Sequence, residues 1–417
     1  MTYIEFFDKN AADNICACLA RKPDRVVFIG NDQKQMGKHI AKYRELFETR
    51  GENIEFVWRG VNRNKLDKIL EVLSSVVEEY DDCCIGLTGG DDLYLVATGI
   101  ICERYKHKNI QMHRFNLRNN TVYDCDADGE TLFEGTAPEL SVSENIRIYG
   151  GVVVDSETKS DGTLNWELTD EFKQDILDMW DICRIKPRDW NCQISGFAGL
   201  ASVGIASEDK LTYSATRKQL DIYYEKHELK SVYKQKIIAA LLEKGLITEY
   251  SEKDGRIYIT FKNEQVKRCL TKAGQALEMK IFVTALNTCD EDGNRVYNDA
   301  VNGVYIDWDG LVHTEKGTQD TENEIDILMM HGMVPVFVSC KNGKIETEEL
   351  YKLSTVAERF GGSYAKKVLV AASLGNTKGD NALRQRAHDM GIRIVDRVTE
   401  KSDSELEAII ASLWHSN

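Results

Sequence analysis

The sequence predicts an α/β chain in three parts: a doubly wound, mostly parallel sheet, a winged-helix-like connector, and a second αβ unit. Three observations carry this expectation. Apolar strand-like runs alternate with amphipathic helices over residues 1–150. The rhythm breaks over residues 151–263. From 264 to 417 it resumes in a different order: helix, three meandering strands, helix, strand.

In the first part IEFFD reads as a strand, NAADNICACLARK as a helix and RVVFIGN as a buried strand. KQMGKHIAKYRELFETR forms the next helix, NIEFVWR a strand and NRNKLDKILEVLSSVVEEY a helix. CCIGLTGG is a strand with its loop, followed by the apolar helix LYLVATGIICERY. Ligands of such sheets sit at the carboxyl ends of the strands. Two loops stand there, IGNDQKQMG (29–37) and LTGGDD (87–92). Glycines at strand ends let backbone N–H groups approach a phosphate or base closely. Neither loop is a GxGxxG fingerprint, and no Walker lysine follows LTGG. Asp91 and Asp92 disfavour a polyphosphate on the helix end and suit hydrogen bonds to ribose or base. Tight turns alone would produce the same residues.

The middle part begins with the polar stretch DSETKSDGT and the amphipathic helix ELTDEFKQDILDMWDICR. Then VYKQKIIAALLEKGLITEY, the turn at Asp254-Gly255 and RIYITFK have the order of a winged helix. Such units read DNA or act as spacers and dimer contacts.

In the third part NEQVKRCLTKAGQALEMKIFVTAL reads as one helix, with Leu270, Ala273, Leu277 and Ile281 on one stripe. Strands follow at GVYIDW, ENEIDILMM and VPVFVSCK, then a helix at ETEELYKLSTVAERF and a strand at KKVLVAASL. The chain finishes with a helix NALRQRAHDMG, a strand IRIVD and a helix SDSELEAIIASLW. This is the order of the restriction-endonuclease-like core.

Bulk properties narrow the function. A chain of 417 residues fits two or three domains. The formal net charge of −15 excludes a surface that coats nucleic acid as a whole, so any such contact is a local patch. Eleven cysteines include the close pairs Cys16/Cys18 and Cys83/Cys84 but no CxxC, which argues against a zinc site or disulfide framework. With no membrane-length apolar run, and an N-terminus unlike a signal peptide, a cytoplasmic protein that binds no membrane is expected.

Charges cluster in one unexpected place. Glu324 and Asp326 open an apolar strand, share one face of it, and lead through the turn HGMVP into a second apolar strand ending on Lys341. Ser339 and Lys341 share a face on that second strand, and a compatible antiparallel register brings Asp326 near Lys341. Glu278 joins them if its helix packs over the same edge. Two or three carboxylates plus a backbone carbonyl can hold Mg²⁺ or Mn²⁺ beside a phosphate. The metal would acidify a water, and the lysine would orient that water or stabilise charge on the phosphorus. A cross-strand ion pair at the sheet surface accounts for the same charges.

Asp326 followed by SCK at 339–341 resembles the PD-(D/E)xK nuclease signature. The segments GQALE (274–278), GVYIDWDG (303–310), NEID (323–326), PVFVSCKNG (335–343) and LRQRA (383–387) resemble the effector domain of the Card and Can nucleases. These are CRISPR ancillary nucleases in which that domain is joined to an N-terminal CARF domain, a Rossmann-like sensor. The resemblance implies that Glu278, Glu324 and Asp326 are metal or catalytic carboxylates, that Lys341 is the catalytic lysine, and that Cys340 stands at a metal position. Ser339 departs from the Asp or Glu of the wider superfamily, so Glu324 or Glu278 would supply the missing charge. Asp307 and Asp309 are reserve carboxylates whose positions suit a turn.

The sensor end resembles the CARF pocket, which binds cyclic oligoadenylate across the two-fold axis of a homodimer. By position, Gly30, Asn31, Asp32 and Gln33 would line one wall and Thr88, Gly89, Gly90 and Asp91 the other, with Asn10 and Asn14 as further candidates. Cyclic tetra-adenylate is the ligand the resemblance implies. For the substrate, residues 365–397 hold seven Lys or Arg against three Asp, a local +4. Lys378, Arg384 and Arg386 there could meet a nucleic-acid backbone, and a solvated helix face explains them equally.

The expected function is a homodimeric, metal-dependent endonuclease of DNA or RNA, switched on by cyclic oligoadenylate in type III CRISPR antiviral defence. Residues 151–263 would act as the lever. Two alternatives stand beside it. One is a ligand-responsive winged-helix DNA-binding regulator with an inactive nuclease fold; the other is a ring nuclease that degrades its own cyclic ligand.

Overall fold

The computed structural model describes residues 1–116, 119–159, 162–229, 233–312 and 322–415, with the side chains of Gln35 and Glu322 left aside. The N-terminal part runs β1 (Thr2–Phe6), α1 (Ala11–Arg21), β2 (Arg25–Gly30), α2 (Gln33–Thr49), β3 (Glu55–Gly60), α3 (Leu66–Glu79), β4 (Cys83–Gly86) and α4 (Asp92–Arg104). It continues with β5 (Gln111–Asn116), β6 (Thr121–Cys125), β7 (Thr131–Thr136) and α5 (Val142–Ile148). The strands lie in the order β3-β2-β1-β4-β5-β6-β7. Those from β3 to β5 are parallel, which the alternation of strand and helix signals requires.

The antiparallel hairpin β6–β7 is an addition that the strand–helix alternation does not foresee. Its outer strand is almost wholly exposed, so it carries no core-facing alternation to read.

The connector holds α6 (Asp170–Ile185), α7 (Pro187–Val203), β9 (Ile205–Ala206), β10 (Thr212–Thr216), α8 (Arg217–Lys226), α9 (Gln235–Glu243), β11 (Ile247–Lys253), β12 (Arg256–Phe261) and α10 (Glu264–Thr271), after the short strand β8 (Val152–Val153). The expected helix, Asp254-Gly255 turn and hairpin are all present, with both turn residues at positive φ as a two-residue hairpin loop demands. Helices α7 and α8 flank them.

The last part comprises α11 (Gln275–Asn287), β13 (Asp299–Asp307), β14 (Glu322–His331), β15 (Val334–Lys341), α12 (Thr347–Gly361), β16 (Lys366–Ala371), α13 (Lys378–Asp389), β17 (Ile392–Val395) and α14 (Asp403–Ala411). Its sheet has the order β17-β16-β15-β14-β13-β8, antiparallel from β8 to β15 and parallel from β15 to β17. The single helix expected over 263–286 is two helices. The chain breaks at Gly274, where φ is +90°, a conformation closed to most residues, and α11 starts afresh from it. The apolar stripe continues across the break and hides it.

Two cores hold this sheet between them. One face packs with α6, α7 and the connector sheet, through Trp180, Trp190, Leu277, Ile281, Val336 and Val338. The other face packs against the N-terminal sheet's α1–α2 side, through Tyr3, Phe28, Phe47, Phe337, Leu353 and Phe360. Hydrogen bonds run through this second core. The Tyr364 hydroxyl donates to Asp13 and the Tyr149 hydroxyl to Asn10. Asn10 Nδ2 donates to Ser363 Oγ at 3.2 Å and Asn145 Nδ2 to the Phe360 carbonyl at 2.8 Å. Burial raises the Asp13 carboxyl to about 6 against the opposing hydrogen bonds from Tyr364 and Asn10.

Two glycine substitutions should separate backbone strain from helix propensity. A Cβ at Gly274 would stand at positive φ and 3.3 Å from Glu278 Oε1, so Gly274→Ala is expected to cost about 1–3 kcal/mol. Gly37, inside α2 with open space around its Cβ position, should gain roughly 0.5–1 kcal/mol on Gly37→Ala. Urea denaturation midpoints moving in opposite directions would bear this out.

Candidate functional site

Strands β14 and β15 pair in register from His331↔Val334 to Ile327↔Val338. The ladder stops there, and Asp326 takes the place of a strand partner. Its Oδ2 accepts the Cys340 backbone N–H at 2.6 Å and the Ser339 hydroxyl at 3.2 Å. The Lys341 ammonium stands 3.8 Å from the same oxygen and 2.9 Å from Glu349 Oε2 on α12. Burial opposes the charge on Lys341, but Asp326 and Glu349 outweigh it and hold its pKa above the ordinary lysine value. Burial also raises the Asp326 carboxyl, against the pull of Lys341 and the Cys340 N–H.

The break at Gly274 places Glu278 in the first turn of α11, over this split in the ladder. Its carboxyl is 5% exposed and one oxygen, Oε2, has no hydrogen-bond partner. Burial, then repulsion from Asp326, pushes its pKa up to about 8. Glu324 pairs with Lys272, whose Nζ lies 2.5 Å from its Oε1. The same ammonium is 4.0 Å from Glu278. Of the three expected carboxylates, Glu278 and Asp326 stand at the split, and Glu324 is bridged to Glu278 through Lys272. Among the described residues no three His, Cys, Asp or Glu side chains gather as a ready-made ligand set.

The donors suit a hard divalent cation: Glu278, buried with an unpartnered oxygen, and the half-buried Asp326. The Cys340 thiol packs in the connector-side core, which leaves the backbone as that residue's means of ligation. Asp307 Oδ1 accepts the Gly310 and Leu311 N–H groups at 2.8 and 3.1 Å, the turn-forming arrangement. Sequence reasoning missed Lys272 and Glu349. Lys272 precedes the unforeseen helix break, and Glu349 is one of several acids on a solvated helix.

Arg384 is not free for a substrate: its guanidinium binds Asp396 at 2.8 Å and the Gly375 carbonyl at 2.8 Å. Lys378 and Arg386 are exposed on α13.

At the N-terminal end a cavity of about 310 Å³ opens where β1, β2 and β4 finish, the point at which the strand order reverses. Gly30, Asn31, Asp32, Gly90 and Asp91 line it, with Asp8, Arg63 and Tyr94 in addition. Arg63 pairs with Asp91 at 3.5 Å. Gln33 is exposed at the start of α2. Thr88 Oγ1 accepts the Phe115 N–H at 2.8 Å, and Gly89 lies so close to the Phe6 carbonyl that a Cβ would sit 2.6 Å from it. Asn10 and Asn14 face elsewhere. Asn14 is fully buried and its amide binds the Asp8 backbone and the Tyr43 hydroxyl, while Asn10 belongs to the contact with Ser363 and Tyr149. Asp8 ends a predicted strand and was accessible to the strand-end rule; Arg63 carried no signal.

Residues 274–411 match the family model described as Card1-like, endonuclease domain. No curated protein matches the chain. Among solved structures the chain is similar to protein VC1899 from Vibrio cholerae, with a TM-score of 0.72 and 14% identity over 100% of this chain and 99% of that one. It is also similar to Can2 from Sulfobacillus thermosulfidooxidans, solved in complex with cyclic tetra-adenylate, with a TM-score of 0.66 and 13% identity over 99% of each. At these identities the likeness is one of fold.

The raised Glu278 carboxyl has a consequence for stability. A folded pKa near 8 means the native chain holds that proton where the unfolded chain has lost it, so stability falls as pH rises from about 4.3 toward 8. With chelator present, Glu278→Gln should raise the thermal midpoint at pH 8 by roughly 2–5 °C and change it little at pH 5. A pH-independent difference in scanning calorimetry would contradict this.

Proposed function

We propose that this chain, whose C-terminal third matches a Card1-like endonuclease domain, is a metal-dependent nuclease activated by cyclic oligoadenylate in type III CRISPR defence. The observation that carries the reading is Asp326 inserted at the split between two strands, with Lys341 and a buried Glu278 with an unpartnered oxygen around it.

Glu278 and Asp326 would hold Mg²⁺ or Mn²⁺ there. When bound, such an ion screens the phosphodiester's charge and acidifies the attacking water. Lys341, kept protonated by Asp326 and Glu349, donates to a non-bridging phosphate oxygen and stabilises the charge that builds there. Glu349 limits the directions the ammonium can take. Lys272 neutralises Glu324 and leaves Glu278 as the acid nearest Asp326 on the helix side.

The cavity at the strand ends fits the sensor role. Three aspartates around it against two cations, Lys9 and Arg63, favour hydrogen bonds to ribose and base over a phosphate cradle. Leu95 and Val96 are 47% and 50% exposed on α4, beside this cavity. An isologous contact across them would bring two cavities together around a two-fold symmetric ring, as a homodimer requires. The similarity in fold to a protein solved with cyclic tetra-adenylate supports that ligand.

The loop after β1 and the first turn of α1 link the two ends directly. Asp8 lines the cavity, Asn10 bonds Ser363 and Asp13 accepts from Tyr364. Ser363 and Tyr364 lead into β16, which pairs along β15 as far as Lys341↔Ala371. This contact and the connector lever are parallel routes for the signal.

With Mn²⁺ and cyclic tetra-adenylate, labelled single-stranded RNA, single-stranded DNA and plasmid should show ligand-dependent cutting of at least one substrate. Asp326→Ala should reduce it roughly 10²–10⁴-fold. No cutting of any substrate while the ligand binds would leave the regulator reading in front. Loss of cyclic adenylate without metal, surviving Lys341→Ala, would point to the ring nuclease.

Tyr364→Phe should leave ligand affinity in isothermal calorimetry within about twofold and lower the activation ratio roughly 2- to 30-fold. An unchanged ratio would assign the signal to the connector alone.

A further inference from the structure

A cavity of about 850 Å³ lies apart from both the split in the nuclease sheet and the strand-end cavity. It opens between the nuclease sheet and the corner joining α6 to α7. One wall is the loop that leaves β15, from Asn342 to Thr347, and the floor is the end of β16 at Ala372–Gly375. The opposite wall is Lys186, Arg188 and Asp189 of the connector.

That wall is fixed against the chain immediately after Lys341. Asn191 Nδ2 donates to the Asn342 carbonyl at 3.0 Å, and Asn342 Nδ2 donates back to Asn191 Oδ1 at 3.0 Å. Arg184, just before the corner, is held by the Thr399 and Lys401 carbonyls, each at 3.2 Å. The acids of the cleft are already engaged. Asp189 pairs with Lys234 at 3.0 Å, Glu346 with Lys344 at 2.6 Å, and Asp380 accepts the Thr377 hydroxyl at 2.7 Å. Lys186 and Arg188 are exposed and have no acidic partner within ion-pair distance among the described residues.

A cleft whose wall begins at Asn342, the residue after Lys341, and whose opposite wall carries two cations unpaired among the described residues, has the charge and shape for a polyanion's backbone. We propose that this cleft is the path of the nucleic-acid strand, with Lys186 and Arg188 as its phosphate contacts, so that the connector is part of the substrate site. This rests on the nuclease reading. It shifts the emphasis from α13, where Arg384 is tied to Asp396 and only Lys378 and Arg386 remain exposed. Contact through phosphates makes binding indifferent to base sequence and sensitive to salt.

The test is fluorescence anisotropy of labelled single-stranded and duplex oligonucleotides against the full chain, with Mn²⁺ and cyclic tetra-adenylate. All proteins carry Asp326→Ala so that nothing is cut. Adding Lys186→Ala and Arg188→Ala should weaken binding roughly tenfold for every sequence and reduce the slope of log K against log salt by roughly 1–2. In the cutting-competent chain the same pair should raise KM with kcat largely kept. If the parent binds and the pair binds as tightly with the same slope, or if the loss follows Lys378→Ala with Arg386→Ala instead, the inference is overturned and the nuclease reading stands. A parent that binds no oligonucleotide at all overturns both.

Discussion

The C-terminal domain is organised around one backbone amide. The Cys340 N–H lies where β15 has outrun its pairing with β14, and a buried amide without an acceptor is costly. Asp326 supplies the acceptor from the facing strand. That single bond holds a carboxylate in an apolar setting, which in turn draws Lys341 toward it and raises the carboxyl of Glu278 nearby. The candidate site is thus a defect in a sheet, stabilised by the group the chemistry would use. Rigid strands on both sides fix its geometry better than loops could.

The distribution of charge follows from the same constraint. Four acids and two lysines occupy a small volume, and each lysine has a different acid as its closest partner: Lys272 with Glu324 and Lys341 with Glu349. Glu278 and Asp326 are left with less compensation than their charge needs. Such residual demand is a common mark of functional sites, where ordinary stability is given up locally.

Much of this was legible in the sequence, and the failures have physical causes. Alternation along 322–343 placed Glu324, Asp326, Ser339 and Lys341 on their strands, because buried strands write their pattern strongly. It could not show that Glu324 would turn onto Lys272, since that depends on how a separate helix ends. The break at Gly274 was masked by apolar residues that keep helical spacing on both sides of it. The hairpin β6–β7 was missed for the opposite reason: its exposed outer strand has no pattern to read. At the sensor end the strand-end rule found the cavity walls at Gly30–Asp32 and Gly90–Asp91. Asn10 and Asn14 follow a strand end too but do not line the cavity, their side chains bonding Ser363 and Tyr43 instead.

The core that runs unbroken from Tyr3 and Phe28 to Phe337 and Phe360 bears on how such chains can diversify. Recombination that exchanges one end for that of a distant relative would cut through packed side chains, with mismatched volumes on both sides of the seam. A viable crossover has to carry α5 and α12 together with the helices they face. A change of volume at one end of the shared core is therefore met by side chains of the other.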